Sequence, residues 1–172
     1  MSEFTIVPCG EAHITGIAAI YEHAVRFGTA SFELTPPSEI EMLDRRNAIV
    51  SGGYPYLVAE MHGAVIGYAY AGPYRPRPAY RGTVENSVYV HHDKQGLGIG
   101  RSLLQSLIDE CTRLAFRQMV AVIGDSANVF SQRLHAKLGF EHIGVLKAVG
   151  WKHERWLDTV LMQRCLGAGT MR

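Results

Sequence analysis

The run Val84-Glu85-Asn86-Ser87-Val88-Tyr89-Val90, followed at short distance by Gln95-Gly96-Leu97-Gly98-Ile99-Gly100-Arg101, constrains this chain more than any other segment. It reads as a β-strand, a loop crowded with glycine and the start of an amphipathic helix. Such a loop presents several backbone N–H groups to one point, at the positive end of the helix dipole, and so suits a pyrophosphate. The carboxylate of Glu85 stands on the strand just upstream. An anion cradle and an acid on one strand–loop–helix unit point to an enzyme whose cofactor carries phosphates. Rossmann spacing would need glycines at 96, 98 and 101, but position 101 is Arg, and no Gly-Lys-Ser/Thr ending makes a P-loop.

The 172 residues, 47% of them apolar, suit one domain spanning 1–172 with a buried core. A net charge of +1 without a basic run argues against nucleic acid as a partner. No apolar stretch approaches the roughly 18–20 residues that cross a bilayer, so no membrane association is expected. Residues 1–5 carry no basic segment leading into a long apolar one, so no secretory signal is expected. Cys9, Cys111 and Cys165 are odd in number and far apart, and form no Cys-x-x-Cys pair. That pattern predicts neither a disulfide framework nor a metal site, and with it a cytoplasmic location. Cys111 falls on the apolar stripe of a helix, where a buried, inert thiol is expected.

Periodicity predicts the elements. A short strand at 5–7 precedes a helix marked by Ile14, Ile17, Ala18, Tyr21, Ala24 and Val25 and ended by Gly28. Pro36-Pro37-Ser38 opens a second helix, which runs to about residue 50 and is closed by Gly52-Gly53. Strands at 56–61 and 64–71 flank a His62-Gly63 turn, and a loop with three prolines and two arginines leads into the Glu85 strand. The helix after the glycine loop buries Leu103, Leu104, Leu107, Ile108, Cys111 and Leu114. Residues 119–123 form a continuous apolar run, which predicts a strand buried on both faces. Ser126 or Asn128 can cap the next helix, which carries Phe130, Leu134 and Leu138 and ends at Gly139, and two strands follow around 140–149 and 156–163. Three strands in a meander cannot all be parallel, so the sheet is mixed, with helices packed on it.

These residues resemble the GNAT acetyltransferase superfamily. Its acyl-CoA signature, Gln/Arg-x-x-Gly-x-Gly/Ala, is matched by Gln95, Gly98 and Gly100. A narrower resemblance, to the phosphinothricin and methionine sulfoximine N-acetyltransferase branch, is carried by residues 84–90, Ala121-Val122-Ile123-Gly124, Arg133-Leu134-His135, Leu138-Gly139-Phe140, Trp156-Leu157-Asp158 and the segment 69–74 before the arginine loop. It spans about residues 14–163. It implies an α/β (α+β) GNAT fold: a mixed, mostly antiparallel central sheet of about seven strands with about four flanking helices. It also implies acetyl-CoA as co-substrate. The loop Gln95, Gly96, Leu97, Gly98, Ile99, Gly100 and Arg101 would hold the pyrophosphate. The backbone of Val88, Tyr89 and Val90 would pair with the pantetheine arm as a false strand. Asn128 would hold that arm from the other side, which is compatible with a plain helix-capping role.

The same resemblance gives Glu85 the part of general base. An amine titrating at about 8 is mostly protonated at neutral pH, and only its neutral form can attack a thioester. A carboxylate beside it, direct or through a water, can take the proton, and partial burial makes it a better base. Arg75, Pro76 and Arg77 in the proline-rich loop, with Glu85, Asn86 and Ser87, are the expected substrate site, since guanidinium forks bind carboxylates. Otherwise the two arginines are ordinary solubilising side chains. His135 is expected either to protonate the departing thiolate or simply to pack beside the cofactor. Tyr89's side chain is expected to be structural. Phe32 and Glu33 follow a short Gly28-Thr29-Ala30-Ser31 stretch expected to line the pocket, with a core role for Phe32 as the alternative. Glu154 stands where the branch usually has glycine, and its side chain disfavours the positive φ of that turn.

The expected activity is transfer of an acetyl group from acetyl-CoA to the α-amino group of a small amino acid analogue such as phosphinothricin, methionine sulfoximine or methionine sulfone. No cysteine stands at a plausible nucleophile position, which favours direct attack over a covalent acetyl-enzyme. Acetylation of a protein N-terminus or lysine, or non-catalytic acyl-CoA sensing, are the alternatives. A homodimer is expected from the resemblance alone.

Overall fold

Capping residues and glycines set the ends of the helices in the computed structural model, which describes residues 4–170. Residues 1–3, part of the segment in which no secretory signal is expected, lie outside the described residues. The elements are β1 (Thr5–Pro8), α1 (Ile14–Phe27), α2 (Glu39–Ser51), β2 (Tyr56–Met61), β3 (Ala64–Pro73), β4 (Thr83–Val90), α3 (Ile99–Arg113), β5 (Gln118–Gly124), α4 (Val129–Lys137), β6 (Glu141–Lys152) and β7 (Arg155–Cys165). The Gly28 N–H donates to the Ala24 carbonyl to end α1. The Ser38 hydroxyl accepts from the Glu41 N–H to start α2. Of the two candidate caps for α4, Asn128 is used, its side chain accepting from the Ser131 N–H.

The strands form one sheet in the order β1-β2-β3-β4-β5-β7-β6. Every neighbouring pair is antiparallel except β4–β5. That parallel pair is short: Thr83 to Asn86 lie opposite Gln118 to Ala121, and beyond them the two strands separate. Helices cover both faces. On one, α3 buries Leu103, Leu104, Leu107 and Cys111 against Ala69, Val84, Met119 and Ala121. On the other, Ile14, Ile17 and Ile20 of α1 and Met42 of α2 pack on Tyr56, Val58 and Tyr68. Burial pushes the Cys111 thiol up to about 12, which keeps it protonated and unreactive.

Four expectations change. Leu114 is not on the buried stripe of α3: it follows the last helical residue and is exposed. β5 is not buried on both faces: Met119, Ala121 and Ile123 are in the core, but Val122 is 40% exposed. No helix covers that side of the strand, and Val122 lines a cavity instead. In α4, Phe130 is exposed and His135 takes the buried position. The hairpin joining β6 and β7 keeps its positive-φ turn despite lacking glycine, with His153 at φ 50° and Glu154 at φ 59° between the paired Lys152 and Arg155. A two-residue turn of this hand matches strand twist, and the long β6–β7 ladder imposes it on residues that resist it. Replacing Glu154 by glycine relieves the left-handed conformation and should raise stability by about 1 kcal/mol in urea denaturation, with the m-value unchanged.

Candidate active site

The separation of β4 from β5 creates the site. In an antiparallel pair, backbone groups point alternately toward and away from the partner strand. The His91 N–H donates to Ile66 and the Tyr74 N–H to Thr83, so the odd-numbered residues of β4 face β3. The N–H and C=O groups of Val88 and Val90 therefore face the side that β5 has left. A cavity of about 60 Å³ occupies the gap, lined by Asn86 to Tyr89, Ala121 to Gly124, Asn128, Ser131, His135 and Ala30.

Below the gap lies the glycine loop. Gly96 and Gly98 both adopt φ 80°, and Gly98 caps α3 with no side-chain bond. The Ser102 N–H reaches the Gly98 carbonyl, whereas the amides of residues 95–101 make no backbone hydrogen bond among the described residues. Consecutive unpaired N–H groups at a helix N-terminus form a cradle for an anion.

Side chains of β4 divide between the faces. Glu85, Ser87 and Tyr89 point toward α1 and α2. Tyr89 meets Tyr21 edge-on at 5.2 Å and stacks on Tyr68 at 5.4 Å, so its ring is structural. Glu85 is half-buried, and that burial raises its carboxyl above the usual range. It lies near Tyr70, which is itself pushed up by burial and held back by a hydrogen bond with Ser87. Glu85 does not itself line the cavity, although Ser87 and Tyr89, on the same face of β4, do.

Asn86 points the other way, toward α4. Its Nδ2 lies 2.9 Å from His135 Nε2, and both side chains are buried. His135 Nδ1 lies 2.8 Å from the Ser131 carbonyl, which can only accept, so Nδ1 carries the proton and Nε2 accepts from Asn86. Burial lowers the His135 pKa, opposed by the Ser131 bond, and holds the ring neutral. Among the described residues Asn86 Oδ1 is buried with no partner, at an expected penalty of about 1–3 kcal/mol.

Arg75 and Arg77 are exposed in the loop between β3 and β4. The Arg75 guanidinium lies 5.1 Å from the Tyr74 ring and 5.7 Å from that of Tyr80, within cation–π range. Among the described residues neither arginine forms an ion pair.

The stretch Gly28 to Ser31, expected at the pocket, reaches the cavity through Ala30, and the segment 29–33 forms a closing wall. Phe32 presses on Gly124 and Gly150, where a Cβ would lie 2.9 and 2.3 Å from its ring. The Lys152 ammonium, itself buried, donates to the Ser31 carbonyl at 2.6 Å. Thr29 donates to Asp125, which also accepts from the Ala127 N–H and Arg155. Glu33 accepts from Tyr21 and from both terminal nitrogens of Arg45. Arg45 holds the Glu33 carboxyl below the usual range, against the opposing effect of burial. These partners are up to 121 residues apart, so only their polar character was visible beforehand.

The sequence profile of the Acetyltransferase (GNAT) family matches residues 17–140. This chain is a GNAT acetyltransferase. It is 54% identical over 156 residues to phosphinothricin N-acetyltransferase of Alcaligenes faecalis, covering 91% of this chain and 79% of that one. It is 44% identical over 163 residues to the L-methionine sulfoximine/L-methionine sulfone acetyltransferase of Pseudomonas paraeruginosa, covering 92% of each. The crystal structure of a phosphinothricin acetyltransferase from Sinorhizobium meliloti in complex with acetyl-CoA matches with a TM-score of 0.96 and 50% identity, covering 100% of this chain and 92% of that one. Acetyl-CoA is the family's co-substrate, and two features of this GNAT acetyltransferase fit it: unpaired amides suit a pyrophosphate, and the unpaired strand edge at Val88 and Val90 suits an amide-bearing arm.

Gly98→Ala puts a side chain on a residue at φ 80° in the middle of that cradle. Acetyl-CoA affinity, measured by calorimetry, should weaken about tenfold. Unaltered affinity would remove the loop from the binding site.

Proposed function

We propose that this enzyme moves the acetyl group of acetyl-CoA to the α-amino group of a small amino acid analogue whose side chain ends in a tetrahedral oxygen-bearing group. Phosphinothricin, methionine sulfoximine and methionine sulfone are its expected substrates. The observation that carries this reading is the half-buried Glu85 beside Tyr70 and Ser87 at the fork of β4 and β5, on a chain 54% identical to phosphinothricin N-acetyltransferase.

In this mechanism Arg75 and Arg77 attract the anionic ends of the amino acid, with Pro76 limiting the freedom of the loop. Asn86 and Ser87 shape the strand against which the substrate lies. Glu85 accepts the ammonium proton, directly or through a water, and the freed amine attacks the thioester carbon. The Val88 N–H, on the open side of β4, polarises the thioester carbonyl. The nitrogen of the tetrahedral adduct gives its second proton to solvent, the C–S bond breaks as the new C–N bond is kept, and the thiolate takes a proton from solvent. Its conjugate acid titrates at about 8.5, so this last step needs little assistance. Cys9 and Cys111 are buried, consistent with transfer without a covalent acetyl-enzyme.

Glu85 works as a base only when ionised. Its raised pKa therefore places the acid limb of kcat/KM above the usual glutamate range, with activity lost as pH falls through it. Glu85→Gln should lower kcat by about 10²–10⁴-fold while acetyl-CoA still binds. The same variant should be more stable than the parent at neutral pH. A carboxyl whose folded pKa is raised favours the folded state at low pH, and that contribution is lost as pH rises through the folded value. An acid limb that is the same in wild type and in Glu85→Gln, or an unchanged kcat in that variant, would sink the base assignment.

Arg75→Ala and Arg77→Ala should each raise KM for methionine sulfone about tenfold or more without altering that for acetyl-CoA. Faster acetylation of peptide N-termini than of methionine sulfone would favour a protein substrate instead.

A homodimer is part of the same proposal. The outer strand β6 exposes Ile143, Val145, Leu146, Val149 and Trp151, beside Trp156 of β7, an apolar row that natural edge strands seldom leave open. Three free cysteines support a reducing, cytoplasmic setting. No helix among the described residues is long and apolar enough to cross a membrane.

A further inference from the structure

The last paired residue of β4 before it parts from β5 is Asn86, opposite Ala121. Where the backbone ladder ends, one side-chain bond takes over: Asn86 Nδ2 to His135 Nε2 at 2.9 Å, between two buried groups. That bond joins the fork to α4. The same helix begins at its capping residue Asn128, which also lines the cavity. Phe140 meets the His135 ring edge-on at 4.9 Å and restricts its rotation.

We infer that His135 is a positioning residue, a neutral strut in its Nδ1–H form that fixes the fork through Asn86, and that it does not protonate the departing thiolate. The inference deepens the acetyl-transfer reading and rests on it only for its kinetic consequence. Three observations carry it. The Ser131 carbonyl accepts from Nδ1 at 2.8 Å, so the only ring proton is already engaged and faces the helix backbone. Nε2 has no proton to give, because its lone pair accepts from Asn86. The orphaned Asn86 Oδ1 follows from the same constraint: turning the amide over would set two acceptors, Oδ1 and Nε2, against each other. Burial of the ring disfavours the doubly protonated form, in which the amide could turn and the ring could act as an acid.

The role predicts what each replacement does. Gln at position 135 offers an acceptor to Asn86 but cannot act as an acid. Leu offers neither. With His135→Leu, kcat should fall about tenfold or more as the fork loses its brace. With His135→Gln, activity should return to within about threefold of wild type, with the alkaline limb of the kcat profile unmoved. An acid role predicts instead that Gln and Leu are equally damaging and that the alkaline limb is lost in both.

A second measurement is independent of turnover. In ¹⁵N-histidine-labelled wild-type protein, long-range ¹H–¹⁵N correlation spectra should show His135 protonated at Nδ1 alone. That pattern should hold at neutral pH, with and without acetyl-CoA, and His135 should titrate below the value of about 6.5 of unperturbed histidines. An Nε2–H form, or titration of His135 at or above that value, overturns the strut whatever the kinetics show. If no amine is acetylated, the function proposal fails while the tautomer still decides this one.

Discussion

The structure depends on a parallel strand pair that ends early. β4 and β5 share register over Thr83 to Asn86 and Gln118 to Ala121 and then diverge. A strand edge inside a protein leaves N–H and C=O groups that need partners. Here the open edge belongs to Val88 and Val90, and the next turn of chain presents the unpaired amides of the glycine loop. A molecule with amides at one end and a pyrophosphate at the other carries partners for both kinds of group.

The rest of the molecule keeps that fork in shape. On one face α3 buries a continuous apolar stripe against β3, β4 and β5, which fixes the glycine loop relative to the strand. On the other, the stacked tyrosines at 56, 68, 70 and 89 make a rigid floor, with Glu85 and Ser87 at its margin. The segment 29–33 closes the side over β5 and is held by contacts from four elements: Tyr21 of α1, Arg45 of α2, Lys152 of β6 and the loop residue Asp125. Two glycines make room for Phe32 there, and neither position tolerates a Cβ without displacing it.

Much of this was legible in the chain. The order of strands and helices follows from alternating and 3.6-residue periodicity, and helix ends at Ser38 and Gly28 follow from local hydrogen bonding. The glycine loop was legible because positive φ at Gly96 and Gly98 is a backbone demand written directly into residue type. The errors have one cause. The apolar run of β5 reads as doubly buried, yet Val122 faces the cavity, and Phe130 reads as core, yet His135 is buried in its place. Residue type reports a preference for burial, and the position of neighbouring elements decides whether burial is available. Glu154 is the converse case: its local preference opposes the turn, and the extended β6–β7 ladder prevails.

By itself the sequence determined the elements, the glycine loop and an acid upstream of it on the preceding strand, because each depends on residues close together in the chain. Only the tertiary structure decided which face each β4 side chain serves, that Glu85 and Asn86 look in opposite directions, and that His135 reaches Asn86 from 49 positions away. It also decided the tautomer, since the proton on His135 is assigned by a carbonyl and an amide brought together by packing. Such relations depend on where strands stop pairing and how helices settle across them, and no local pattern of residue types carries that information.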